Sequence, residues 1–403
     1  MYFKLAWRNI WRNKRRSLIT IGSILFAVFF ALIMRSFQEG MYEMMVDSMV
    51  KVSTGHLQVH KEGFWKDRSI DNSMILDEKI LGEIKAIEHV SKVCPRIESF
   101  AWLSADQFGR GALIYGLDPG TDVMSLTDKL VDGEVIGMDD HSIMIGEGMA
   151  RYFNVQIGDT LVMLGQGYHA QTAAAAYPIG GILHFGNPRF SDNLVVMPLK
   201  LAQEFCSTEN RVSSILIELD DITAYAAVKP KLQSLEHPES VDVLDYTEMI
   251  PEVMEAIQAD RIAGKMFIGI LYVIISFGIF GTIMMMTAER QYEYGVLISI
   301  GMRRFQLFMI TLRESILIAF VGVVMGFLVA FPLIYKMHHD PMPFAEEEME
   351  AFKSFGIEPA YYATIDLQLC FEHMLIIFCI AMVVNLYPLT KIMSLQPVQA
   401  MRK

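Results

Sequence analysis

Four stretches of the chain stay apolar for long enough to cross a bilayer, whose hydrocarbon core of about 30 Å takes about 20 helical residues. They are 17–38, 266–288, a run within 305–336, and 367–387, the last interrupted near its start by Glu372 and His373. Between the first two stretches the period changes. Short strand-like runs bounded by Gly, Pro and Asp recur at 56–60, 112–115, 142–145, 160–164, 194–197 and 214–219. Helical patterns fall at 76–87, 148–153, 200–204 and 222–235. This alternation predicts an α+β domain of two lobes. At its ends, 39–52 carries Met41, Met45 and Met49 four residues apart, and 247–265 is helical in pattern. The two segments are expected to extend the first two spans outward as a stalk, through which domain motion reaches the membrane. Methionine suits variable apolar cargo, and it equally suits ordinary helix packing. In the first sixteen residues Phe3, Trp7, Ile10 and Trp11 share one helical face, with Lys4, Arg8, Arg12 and Arg15 around the other. That pattern fits an amphipathic helix on an anionic leaflet.

Composition agrees with a few spans plus a large water-facing domain. The 403 residues are 53% hydrophobic and 20% charged, with mean hydropathy +0.33. The first apolar run is too long for a signal-peptide core and no small-residue cleavage site follows it, so a retained anchor is expected. Segments 1–16, 289–304 and 388–403 hold 12 of the 34 Lys/Arg and two of the 46 Asp/Glu. By the positive-inside rule they are cytoplasmic. The expected order is therefore a cytoplasmic helix (1–16), a span (17–38), an outside domain (39–261), a span (262–288) and an inside segment (289–304). A third span (305–336), an outside loop (337–366), a fourth span (367–387) and a cytoplasmic tail (388–403) follow. The net charge of −12 argues against a nucleic-acid partner. Cys94 and Cys206 either pair, if both face an oxidising compartment, or are inert buried thiols.

No phosphate-binding loop can be assembled. The one Gly-Lys pair, Gly264-Lys265, precedes Met266 and has Ala259 where such a loop needs glycine. ATP hydrolysis, if it drives this chain, belongs to another polypeptide. No nucleophile–base constellation stands out, and no metal site is expected. His56 with His60, and His338-His339-Asp340 before Glu346-Glu347-Glu348, read as solvated polar faces. Small residues recur where helices touch in lipid: Ser23, Ala27 and Ala31, then Gly278 and Gly281, then Gly322 and Gly326. They let helices close and reopen, or they pack statically. Arg35, Arg313 and Glu372 lie near span ends and are expected to snorkel, whereas Glu314 is an intramembrane charge. In 289–304, Val296, Leu297 and Ile300 share one face, while Gly295 and Gly301 permit close approach or a turn. The segment is a docking helix for a soluble partner, or a charged connection between spans.

A set of motifs runs in a fixed order. Leu5-Ala6-Trp7-Arg8-Asn9 precedes the basic Lys14-Arg15-Arg16. Val90-x-x-Val93-x-Pro95-Arg96 follows, then Gly133, Ile145-Gly146, Val155-x-x-Gly158-Asp159, Gly180-Gly181-Ile182 and Val196-Met197-Pro198-Leu199. After the second span stands Glu289-Arg290-x-x-Glu293-x-Gly295-x-Leu297-x-x-x-Gly301. Glu314, Pro388 and Pro397-Val398-x-Ala400-x-Arg402 complete the set. Over essentially its whole length the chain resembles the permease subunits of type VII ABC transporters, the MacB/FtsX/LolC superfamily. The resemblance implies four transmembrane helices with a periplasmic α+β domain between helices 1 and 2, in the bacterial inner membrane. It implies mechanotransmission from a cytoplasmic ABC ATPase dimer, which binds ATP and magnesium, to a dimer with a second permease subunit. Glu289–Gly301 would be the ATPase-coupling helix, and Met41, Met45 and Met49 would border the cargo cavity. Length and the lack of a fused ATPase look most like LolC/LolE, which release lipoproteins to a periplasmic carrier. A MacB-like efflux permease for peptides or toxins and an FtsX-like regulator of a cell-wall hydrolase are the alternatives. Two departures from the LolC branch stand out: the connection 165–176, in place of a long hook hairpin, is short and lacks proline, and the loop 337–366 is long.

Overall fold

The computed structural model describes residues 14–121, 123–185, 187–343 and 360–393. Most of the expected N-terminal amphipathic helix, the centre of the acidic loop 337–366 and the end of the tail lie outside these residues. The chain divides into two compact units.

Within its described residues the first unit comprises 14–43, 256–343 and 360–393. Five helices contribute to it: α1 (Lys14–Met49), α2 (Pro251–Glu289), α3 (Gln291–Ser299), α4 (Arg304–His339) and α5 (Leu367–Met393). The four long ones, α1, α2, α4 and α5, are long and apolar enough to cross a membrane. Each of the four runs past its expected bounds. The second stalk segment, 247–265, is corrected: it is not one helix. Tyr246–Met249 forms a separate turn, capped by Asp245 and Glu248, and α2 starts afresh at Pro251. A proline disfavours helical backbone in the residue before it, and Ile250 sits at φ −121°, ψ 53°. The core of this unit joins Ile24, Val28 and Leu32 of α1 to Ile279, Ile318, Val323 and Ile377. A polar seam ties α1 to the chain before α5: Ser36 Oγ donates to the Thr364 carbonyl at 2.5 Å and Thr364 N–H donates back to the Ser36 carbonyl at 3.1 Å. Gly40 allows this approach, since a Cβ there would lie 2.6 Å from the Tyr362 carbonyl oxygen.

The second unit, whose described residues lie within 44–255, is built on one mixed sheet of ten strands. They are β1 (Leu57–Lys61), β2 (Val90–Ala105), β3 (Phe108–Leu117), β4 (Leu130–Gly133), β5 (Ile143–Gly146), β6 (Thr160–Gln166), β7 (Thr172–Leu183), β8 (Leu194–Pro198), β9 (Ser214–Leu219) and β10 (Val241–Asp245). The order is β10-β1-β9-β2-β3-β8-β5-β7-β4, and β6 pairs with both β2 and β7. That double pairing closes β2, β3, β8, β5, β7 and β6 into a six-strand ring. Alternation along β6 follows from it: Leu161 and Met163 are buried, while Val162 and Leu164 are exposed.

Two expectations change here. The two-lobed domain is one unit, because β2 is 16 residues long and serves both halves. Its first part pairs with β9 (Arg96 opposite Ser214) and its second with β6 (Trp102 opposite Leu164). The connection 165–176 is the end of a β-hairpin. Gly165 and Gln166 pair with Ala173 and Thr172, leaving only 167–171 as the turn.

Candidate coupling segment and helix contacts

Sequence chemistry sets both ends of α3. At its C-terminus Gly301 adopts φ +105°. The Met302 N–H reaches the Leu297 carbonyl at 3.1 Å and the Gly301 N–H reaches Ile298 at 3.1 Å. This is the paired 6→1 and 5→2 pattern of a Schellman cap, which needs a left-handed residue and so favours glycine. Arg303 then turns extended, and its N–H donates to Gln306 Oε1 at 3.2 Å to start α4.

Arg290 is only 3% exposed and Glu314 only 2%. Arg290 Nη1 donates to Glu314 Oε1 at 2.7 Å and Oε2 at 2.8 Å. Glu293 lies 3.7 Å from Arg290 Nε, and the guanidinium stands 5.7 Å from the Tyr294 ring centre. Tyr294 is buried with Leu307, flanked by Ile298, Met302 and Phe308. The Glu314 carboxylate thus has its partner, Arg290, within the coupling signature itself. Gly295 is buried on the same side and Glu289 is exposed. The expected apolar face divides: Val296 is half-buried, whereas Leu297 (37%) and Ile300 (78%) are exposed together with Tyr292. Tyr294 was not singled out from sequence, though its place between Glu293 and Gly295 was a signal.

The small residues fall into two groups. Ala27 and Ala31 are buried. A Cβ on Gly322 would lie 2.8 Å from Ile24 Cβ, and one on Gly326 would lie 2.7 Å from Val28 Cβ. The two glycines of α4 therefore receive α1 within this chain. Ser23 Oγ instead bonds its own helix, at the Ile19 carbonyl. Among the described residues, nothing lies within 4 Å of where a Cβ on Gly278 or Gly281 would sit. They lie on a face of α2 that also exposes Phe267, Ile270, Ile274 and Phe277.

Other expected groups move. Arg35 does not reach away from the protein: it is 11% exposed and bonds Glu39 at 2.8 Å, and Glu39 also receives Arg261 at 2.8 Å. Tyr42 donates to Asp260 at 2.5 Å. Glu39 is thus paired with two guanidiniums, Arg35 largely buried and Arg261 half exposed, so the Arg35 charge is compensated within the protein. Glu372 and Arg313 are exposed. His373 is buried and bonds the Tyr272 hydroxyl. Met41 and Met45 are half-buried, and Met49 lines a cleft in the second unit.

His60 is not a solvated residue, as it is fully buried beside Phe64 and Trp65, and burial holds its pKa below the ordinary value. His56 Nδ1 accepts the Leu219 N–H at 2.9 Å. His338 faces the Ala363 carbonyl at 2.8 Å. Cys94 and Cys206 are free, buried thiols in different apolar clusters. Burial raises both, Cys206 to about 11.

Comparison with known proteins assigns the chain. The MacB-like periplasmic core domain matches residues 17–235, more than half of the chain, and the FtsX-like permease C-terminal domain matches 265–397. No curated protein matches it. Among solved structures, the periplasmic region of MacB from Actinobacillus actinomycetemcomitans is 16% identical, covering 51% of this chain and 95% of that one with a TM-score of 0.37. The extracellular domain of YknZ, a noncanonic ABC-type transporter from Gram-positive bacteria, is 12% identical, covering 47% and 99% with a TM-score of 0.34. The chain belongs to the MacB/FtsX-like permease family of type VII ABC transporters.

Proposed function

We propose that the chain is the permease subunit through which a separate ATPase dimer drives motion of the extracytoplasmic unit. The observation that carries this reading is the division of labour in 289–304. The Arg290–Glu314 pair and buried Tyr294 anchor α3 to α4, while Tyr292, Leu297 and Ile300 face outward. An apolar outward face on a short, rigidly rooted helix suits a groove in a soluble partner. ATP and magnesium are assigned to that partner, and this chain supplies no catalytic group. The basic segments are assigned to the cytoplasmic side of the inner membrane and the sheet-bearing unit to the periplasmic side. A second permease subunit, identical or homologous, is assigned to the open face of α2 bearing Gly278 and Gly281.

For cargo we propose lipoproteins, extracted from the membrane and handed to a periplasmic carrier or adaptor. Burial is worth about 0.8 kcal/mol per CH₂, so acyl chains must stay covered during transfer. The match to a MacB-like core domain favours a second reading, efflux of peptides or toxins. The FtsX-like match favours a third, control of a periplasmic cell-wall hydrolase. Affinity purification from native membranes with mass spectrometry separates the three. An ATPase with triacylated lipoproteins supports the first. An ATPase with an outer-membrane duct supports the second, and one with a hydrolase supports the third. No ATPase overturns the transporter reading.

A further inference from the structure

We propose that a cleft of about 520 Å³ in the second unit binds a single-chain amphipath with a zwitterionic head, of the lysophosphatidylethanolamine kind. Its size falls in the range of small-molecule sites, which are mostly apolar with a few convergent polar groups. Met49, Leu113, Phe190 and Met249 supply apolar wall.

The polar part of the lining is unusual in three respects. Thr54 is 2% exposed, lines the cleft, and its hydroxyl has no hydrogen-bond partner among the described residues. A buried hydroxyl left unpaired costs about 1–3 kcal/mol, so the wall at Thr54 is kept polar at a cost to stability. Arg68 stacks on Trp65 at 3.9 Å and remains half exposed, 3.6 Å from Glu98. That separation is too long for a hydrogen bond. Glu98 is already engaged by Arg96 and by Ser214, so Arg68 keeps donors for a ligand. The lining also holds one acidic residue, Glu252, exposed at the start of α2. One guanidinium and one carboxylate, the charged groups of this lining, complement a head carrying one negative and one positive group.

The rest of the site is preformed. Arg96, 1% exposed, lies 4.2 Å over the Tyr115 ring and donates to the Ser53 carbonyl at 2.7 Å. It thereby fixes the ring and the turn 50–54 that make one wall. Preorganised walls reduce the ordering cost of binding.

This inference does not rest on the ATP-driven reading, since the cleft lies wholly within the second unit. It is tested on the full chain in amphipol with Trp7, Trp11 and Trp102 replaced by Phe, leaving Trp65 as reporter. The probe is lysophosphatidylethanolamine with a brominated acyl chain, which quenches tryptophan on contact. Saturable quenching is expected. Arg68→Gln and Glu252→Gln should each raise the half-saturation concentration about tenfold, and Val253→Phe should abolish quenching by filling the cleft. A brominated monoacylglycerol, lacking both charges, should bind at least tenfold more weakly. Quenching that never saturates, that Arg68→Gln and Glu252→Gln leave unchanged, or that monoacylglycerol reproduces would overturn the proposal. The two charge variants keep the test decisive if Val253→Phe fails to fold.

Discussion

One nitrogen of Arg290 bridges both carboxylate oxygens of Glu314, at 2.7 and 2.8 Å, with both side chains shut away from solvent. The contact closes a loop of chain around α3, tying the residue that follows α2 to the third turn of α4. Removing one partner of such a pair strands a buried charge, at a cost of about 3–5 kcal/mol. Arg290→Ala and Glu314→Gln are expected to lower the thermal midpoint in detergent markedly, and Arg290→Met with Glu314→Leu to lower it less than either single change. Equal midpoints for all variants would refute a structural role for the pair.

The outward face of α3 predicts the opposite profile. Leu297→Asp with Ile300→Asp should leave the thermal midpoint within the error of the native chain, because both side chains are exposed. Co-purification of an ATPase should be lost. Retention of the ATPase would sink the docking assignment without touching the fold.

Gly301 offers a graded version of the same test. Its φ of +105° makes Gly301→Ala cost about 1–2 kcal/mol through the left-handed backbone. The α3 cap should fray, and amide exchange at 297–302 should speed up while exchange elsewhere is unchanged.

The two glycine pairs should answer differently to a larger side chain. Gly322→Val drives atoms into Ile24, and overpacking of this kind costs about 1–3 kcal/mol. Gly278→Val meets no atom of the described residues, so its midpoint should stay put while cross-linking between permease copies falls. Matching losses of stability in both variants would contradict the division.

His60 makes the second unit sensitive to acid. Both ring nitrogens are unbonded among the described residues. Its strand partners are Asp242 and Ser214, with the carboxylate of Glu98 also acting on it, yet burial prevails and lowers its pKa from 6.5. The unfolded chain therefore binds a proton that the folded chain resists. The contribution of His60 to stability is complete above about pH 6.5 and declines as pH falls below that value. His237, also lowered by burial, acts in the same sense. Urea midpoints at pH 7.5 and 5.5 should differ in the native chain and differ less in His60→Phe; an unchanged difference would clear His60 of the effect.

How far the sequence alone carried can be judged strand by strand. β1, β3, β5, β6, β8 and β9 were legible because their apolar positions run together or alternate. β2 was not, because Pro95, Arg96 and Glu98 interrupt it. The proline lacks a donor, and the charges break the apolar pattern although the fold pairs them in the interior. The Gly301 turn was visible as glycine at a helix end. The Arg290–Glu314 contact was not, since no local pattern points from one helix end to a residue a full helix away. Buried His60 was misread for a related reason: two histidines four apart look like a polar face unless the covering sheet is known.

The hairpin that closes the six-strand ring has a further consequence. β6 is held on both sides, by β2 and by β7, so neither edge depends on the turn 167–171. That turn already carries His169 and Ala170 in left-handed backbone, a strain that extra residues would relax. An inserted epitope or binding peptide at the tip therefore inherits a rigid mount without opening an edge for aggregation. The tip is thus the place in this unit where added chain disturbs the sheet least.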